Sequence, residues 1–166
     1  MWKLIKLCVV VGVLLSVSCG SGTREVKSES GNFSVMSPVS LEESTSTQDI
    51  QIASLTNHVF KGTTGKVYYF VIYQETTPPV IKESDLDEAM EAEITSAGGT
   101  KSSSKPYSFG NAPGREFTFT GVKRPYEAKA RLFLVGERLY HLAVRSDGQP
   151  LPADADAFLD SFKLLK

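Results

Sequence analysis

Changes of hydrophobic period divide the chain. Lys3 and Lys6 precede an apolar run from Leu7 to Leu15, which ends in small residues. Positive, hydrophobic and small-residue regions in that order are those of an export signal. The run is shorter than the roughly 20 apolar residues of a membrane span. Residues 20–31 then carry a single aliphatic side chain, Val26, among glycine, serine and charge, which predicts a flexible tether. The expected organisation is a signal over 1–19, a tether over 20–31 and one folded domain over 32–166.

Within that domain the periods alternate between two and 3.6. Phe33-Ser34-Val35 reads as a brief strand stopped at Ser37-Pro38, and residues 41–47 and 50–58 as a polar strand pair. Lys66 to Tyr73 is apolar or aromatic on both alternating sets. It is either a strand covered on both faces or one with aromatic rings on a partly open face. Ser84 opens a helix with Asp87 completing a capping box, and Leu86, Met90, Ile94 and Ala97 form its stripe before Gly98-Gly99 stops it. A turn-prone stretch follows, including Ser102-Ser103-Ser104. Three strands come next: Arg115–Thr120, Tyr126–Leu134 and Arg138–Arg145, the last two joined by a short turn at Gly136. Tyr126, Ala128, Ala130, Leu132 and Leu134 take one face of their strand, and Glu127, Lys129 and Arg131 the other. A closing helix after Pro152 carries Ala155, Phe158, Leu159 and Phe162 at helical spacing. Hairpins plus two amphipathic helices predict an α+β domain with a central antiparallel sheet flanked by helices.

Composition narrows the chemistry. The 166 residues hold 18 Lys+Arg against 19 Asp+Glu, two cysteines and two histidines, so zinc fingers and disulfide scaffolds fit poorly. With 41% hydrophobic residues there is apolar material for one real core. No Gly-x-Ser-x-Gly elbow, Walker loop, dinucleotide fingerprint or His-Glu-x-x-His pair occurs, and neither cofactor nor metal is expected. His58 and His141 lack a converging carboxylate pattern, and His141 reads as a strand residue on the more polar face. The six acids between Glu83 and Glu93 read as a solvated helix surface, not as a carboxylate pair around a cleft. The reading is therefore non-catalytic. A small-molecule pocket between sheet and helix, near Tyr68, Phe70 or Tyr140, is the alternative, and an enzyme a more remote one.

Charge is distributed unevenly. Lys101, Lys105, Arg115, Lys123, Arg124, Lys129, Arg131, Arg138 and Arg145 face only Glu116, Glu127 and Glu137 over residues 101–145. This predicts a basic strand surface around Lys129, Arg131 and Arg145 that docks an acidic envelope partner. Nucleic acid is not expected, because no aromatic-interleaved basic motif is present.

Two resemblances add to this. Leu15-Ser16-Val17-Ser18-Cys19-Gly20 resembles a bacterial lipobox, with Ser16 where that pattern prefers leucine. The resemblance implies a lipid on Cys19 and attachment to a membrane of the cell envelope. Gly114 through Phe117, Ala130 through Tyr140, and Phe158 through Leu164 resemble bacterial exported proteins with a PsbP/Mog1-like domain, as does the Phe33-x-Val35 opening that runs to Pro38. That likeness implies a central antiparallel sheet between helices. PsbP proteins support the oxygen-evolving side of a photosystem and Mog1 binds a small nuclear GTPase, but no contact motif of either maps onto these residues. Gly114, Phe117, Tyr140, Phe158 and Phe162 read as structural.

Overall fold

A computed structural model describes residues 22–165. The chain begins with β1 (Arg24–Ser28) and β2 (Phe33–Ser37), then β3 (Glu42–Ile50), β4 (Ala53–Thr64) and β5 (Val67–Thr77). Helix α1 (Leu86–Ser96) follows a one-turn 3-10 segment over Glu83–Asp85. Next come β6 (Gly99–Phe109), β7 (Ala112–Gly121), β8 (Tyr126–Val135) and β9 (Arg138–Asp147), and the domain closes with α2 (Ala155–Asp160) and β10 (Lys163–Leu164). Seven strands make one antiparallel sheet in the order β3-β4-β5-β9-β8-β7-β6, and β1, β2 and β10 make a second, small sheet in the order β1-β2-β10. This is a mixed α+β domain with an antiparallel sheet flanked by helices.

The central strands of the large sheet carry a different core on each face, while β3 is exposed along its whole length. On one side α1 lays Leu86, Met90 and Ile94 over Phe117, Phe119, Ala128, Ala130 and Leu132. Small side chains at 128 and 130 let the helix approach closely, and the 3.6-residue stripe supplies the matching ridge. On the other side the small sheet and α2 place Phe33, Val35, Phe158, Leu159 and Phe162 against Tyr69, Val71, Tyr73, Phe133 and Tyr140. Phe33, Phe133, Tyr140 and Phe162 stack or meet edge to face at 5.3–5.7 Å, the spacing aromatic pairs prefer. Gly62 lies under the link from β2 to β3, where a Cβ would come within 2.4 Å of the Ser40 carbonyl oxygen. Gly114 is similarly pinned, 2.4 Å from the Leu132 carbonyl oxygen for a built Cβ.

Three expectations are corrected. Residues 24–28, assigned to the tether, form β1, paired residue by residue with β2 from Arg24↔Ser37 to Ser28↔Phe33. Backbone pairing holds this strand, with Val26 half-buried and Ser28 buried, so its composition hides it. The turn-prone serines belong to β6, an eleven-residue edge strand with a register shift between Lys101 and Ser103. Its side chains are mostly exposed, so no alternating apolar signal is needed; Lys105 and Pro106 suit an unpaired edge. Helix α1 starts at Leu86, not Ser84. The Asp85 carboxylate accepts the Lys82 N–H at 2.9 Å, and Asp87 turns away to take a two-pronged ion pair from Arg115 at 2.7 and 2.8 Å. The guanidinium fork offers two charge-assisted bonds where a cap offers one.

For Lys66–Tyr73 the structure selects the second of the two readings. Val67, Tyr69, Val71 and Tyr73 are buried, while Tyr68, Phe70 and Ile72 are half-buried on the α1 side, away from the main contacts of α1 with β6, β7 and β8.

Candidate functional site

The basic surface predicted from Lys129, Arg131 and Arg145 is not one surface. Strands β8 and β9 do pair, but the register sets Ala128 opposite Arg145 and Arg131 opposite Leu142. Arg145 therefore shares the α1 face with Ala128, while Lys129 and Arg131 point to the α2 face. A shift of one residue in parity inverts the face, and sequence spacing within each strand does not fix the parity between them.

Arg131 is also not exposed. Its residue surface is 7% accessible, and it sits in a cage of opposite charge. Its Nε donates to Glu116 Oε2 at 2.7 Å, a second guanidinium nitrogen reaches Asp160 at 2.7 Å, and its carbon lies 4.8 Å from the centre of the Tyr107 ring. Lys105 pairs with Glu116 at 2.9 Å from the edge strand, and Lys129 pairs with Asp156 of α2. The network therefore ties β6, β7, β8 and α2 together. Burial alone raises the pKa of the Glu116 carboxyl, but hydrogen bonds from Lys105 and Arg131 and the adjacent positive charge outweigh it and hold the pKa below the ordinary range. A cation so neutralised braces the fold and is not available to a partner.

Arg145 lies over the Tyr126 ring at 4.3 Å and the Tyr68 ring at 5.6 Å, with Nε donating to Asp147 at 2.7 Å. Lys61 caps Tyr68 and Phe70 at 5.4 and 5.7 Å. The part of the α1 side left open by the helix is thus roofed by cationic side chains whose stems cover the aromatic rings.

The histidines occupy opposite faces. His58 is paired with Tyr73 and stacks on its ring at 4.2 Å, with Nδ1 3.1 Å from the Thr45 hydroxyl. His141 is paired with Ile72 on the α1 face. It is not on a polar face: it is 5% exposed, stacks on Phe117, and has Glu93 3.8 Å from Nδ1 and no hydrogen-bond partner at Nε2. Among the described residues no group of three or more His, Cys, Asp or Glu side chains is arranged to hold a metal ion.

Tyr68 and Phe70 do not share a pocket with Tyr140. Tyr140 lies on the α2 side, 2% exposed, donating to the Gly31 carbonyl oxygen at 2.8 Å. Two clefts open at opposite ends of the sheet. One of about 500 Å³ is lined by Glu75, Thr77, Val135, Arg138 and Tyr140. Another of about 500 Å³ lies at the C-terminal end of α1 among Gly98, Val122, Lys123, Arg124 and Tyr126. Sequence reasoning did not single out Lys123 and Arg124 as a site; their adjacency to exposed Val122 is the signal that marks them. Cys19 lies outside the described residues, and among those described no helix is long and apolar enough to cross a membrane.

No protein-family model matches the chain, and no curated protein matches it in sequence.

Proposed function

We propose that this is a non-catalytic, envelope-anchored binding or assembly protein, built on a PsbP/Mog1-like domain and held to a membrane by lipid on Cys19. One juxtaposition carries the reading. An export-type start and a lipobox-like cysteine are followed by only Gly20 to Thr23 before the first strand begins at Arg24. Lipidation would therefore hold the domain itself at the membrane, with no long arm between. The large sheet supports a binding role in a second way. The central strands pack against α1 on one side and the small sheet with α2 on the other, which leaves the ends, the edges and the cation-roofed part of the α1 side for recognition.

Intact mass of the protein purified from the membrane fraction tests the anchor. A diacylglyceryl addition on Cys19 is expected; an unmodified chain recovered from soluble extract overturns it. Cross-linked capture from the detergent-solubilised envelope tests the binding role, and the expected result is a reproducible envelope component. A hydrolytic activity lost on one conservative side-chain change would refute the non-catalytic reading.

A further inference from the structure

We infer that the end of the domain where the chain enters is a platform for anionic phospholipid headgroups. The inference rests on the anchored reading above for its orientation, but its chemistry is separate. Strand directions define two ends. At the entry end lie Arg24, the β4–β5 turn with Lys66, the β7–β8 loop with Val122, Lys123 and Arg124, and the β9 exit at Gly148. Contacts confirm that these segments are neighbours. Asp147 donates its N–H to the Lys66 carbonyl oxygen at 2.9 Å, Gly148 to that of Pro125 at 2.8 Å, and Val122 to that of Gly98 at 3.1 Å. Arg24 is fixed to Ser40 at 2.6 Å, beside Gly62 near the end of β4.

The connecting segments at this end hold the exposed cations Lys66, Lys123 and Arg124, joined by exposed Arg24 at the start of β1, against one acid, Asp154, which accepts from the Tyr69 hydroxyl at 3.1 Å. Among the described residues none of the four has a carboxylate at ion-pair distance. Glu42 and Glu127, on strand ends nearby, oppose them together with Asp154, and Asp147 is taken by Arg145. The far end is the reverse: its connections carry Glu29, Glu83, Asp85 and Glu137 against Lys82. Val122, 68% exposed, stands next to Lys123 and Arg124. An apolar side chain flanked by cations suits a bilayer interface, where the methyls enter the headgroup boundary and the charges meet phosphate.

Reach selects the occupant. Five residue steps separate Cys19 from Arg24, at most about 17 Å of extended chain. A lipid on Cys19 tethers this end to the leaflet by at most about two Debye lengths at physiological salt, close enough for anionic headgroups to draw it in. The acidic end then points away from the same negative surface.

The test uses the processed full chain with a polarity-sensitive dye on Val122→Cys or, as control at the far end, on Ile52→Cys. Intact mass is read first, since a thioether-linked Cys19 takes no dye. The protein is reconstituted in phosphatidylcholine vesicles with and without phosphatidylglycerol, and quenching by bromolipid is measured at low and high salt. Expected are quenching at 122 but not at 52, dependence on phosphatidylglycerol, and loss at high salt. Neutralising Lys66, Lys123 and Arg124 with Gln should weaken the interaction by roughly fivefold per cation, on the order of a hundredfold for all three, and charge reversal should weaken it further. Quenching at 122 equal in neutral and anionic vesicles, or unchanged by charge reversal in a protein with wild-type circular dichroism, overturns the platform. A mass without lipid removes the anchor instead. That unanchored chain, with Cys19→Ser, should then float with anionic vesicles and not neutral ones; failure to do so overturns the platform independently.

Discussion

The two faces of the large sheet are buried by unlike means. On one, a single local element does the work: α1 brings Leu86, Met90 and Ile94 from one eleven-residue segment. On the other, the cover is assembled from the two ends of the chain, with Phe33 and Val35 from β2 meeting Phe158, Leu159 and Phe162 from α2 and its exit. The ionic arrangements differ in the same sense. Arg145 on the α1 side is a half-exposed cation over aromatic rings, whereas Arg131 on the other side is buried among carboxylates from β7 and α2. A face closed by distant segments carries its cross-links buried, while the face closed by a periodic helix carries its ion pairs, Arg115–Asp87 and Lys101–Glu91, at the exposed rim around an apolar contact.

That comparison breaks most visibly at its aromatic centre. Phe33→Ala opens a hole where Phe60, Tyr73 and Phe162 converge, and should cost about 3–5 kcal/mol in urea denaturation. Met90→Ala, under a flexible side chain on the helix face, should lie at or below the lower part of that range. The reverse ranking would refute the contrast.

The ion cage comes next. Arg131→Met or Glu116→Gln alone should each lose about 1.5–3 kcal/mol, the worth of a charged hydrogen bond, since Lys105 still meets Glu116 and Asp160 still meets Arg131, and the double variant should recover part of that. Strict additivity in this cycle would show that the two side chains do not act together.

Titration separates the same groups. Glu116 has a depressed pKa when folded, so its contribution is present above its ordinary value of 4.5 and disappears as pH falls through the lower folded value. Glu116→Gln should flatten the acid limb of a stability–pH profile. Tyr69, buried and donating to Asp154 at 3.1 Å, has its pKa pushed up to about 12 by burial and by that carboxylate. Its contribution is complete below pH 10 and is lost as pH rises through about 12. Tyr69→Phe should remove that alkaline loss, and an unchanged alkaline limb would exclude Tyr69 as its source.

The smallest effect belongs to Arg145→Ala, which removes an exposed cation–aromatic contact and should cost about 0.5–1 kcal/mol. A loss as large as that of Arg131→Met would erase the distinction between the two cations.

The unequal legibility of the two faces has the same origin. The α1 stripe, the alternation at Phe117 and Phe119, and the aromatic positions of the closing segment are periodic, and periodicity survives in a linear string. Strand β6 is not, because an edge strand with exposed polar side chains is specified by the backbone of its neighbour. Strand β1 was hidden for the same reason. For the predicted basic surface, the alternation within β8 correctly grouped Lys129 with Arg131, but their neighbours in space come from β6, β7 and α2.

The amino-acid sequence by itself determined the elements with strong periods, the α+β class and the segment order that places a lipobox-like cysteine before a folded domain. Tertiary structure alone decided which face each strand presents, that Arg131 is buried while Arg145 is not, and that Arg24, Lys66, Lys123 and Arg124 meet at one end. Local side-chain chemistry sets the first group. The second depends on register and on the direction in which each strand runs, and pairing between residues tens of positions apart is settled only when the whole sheet closes around its two cores.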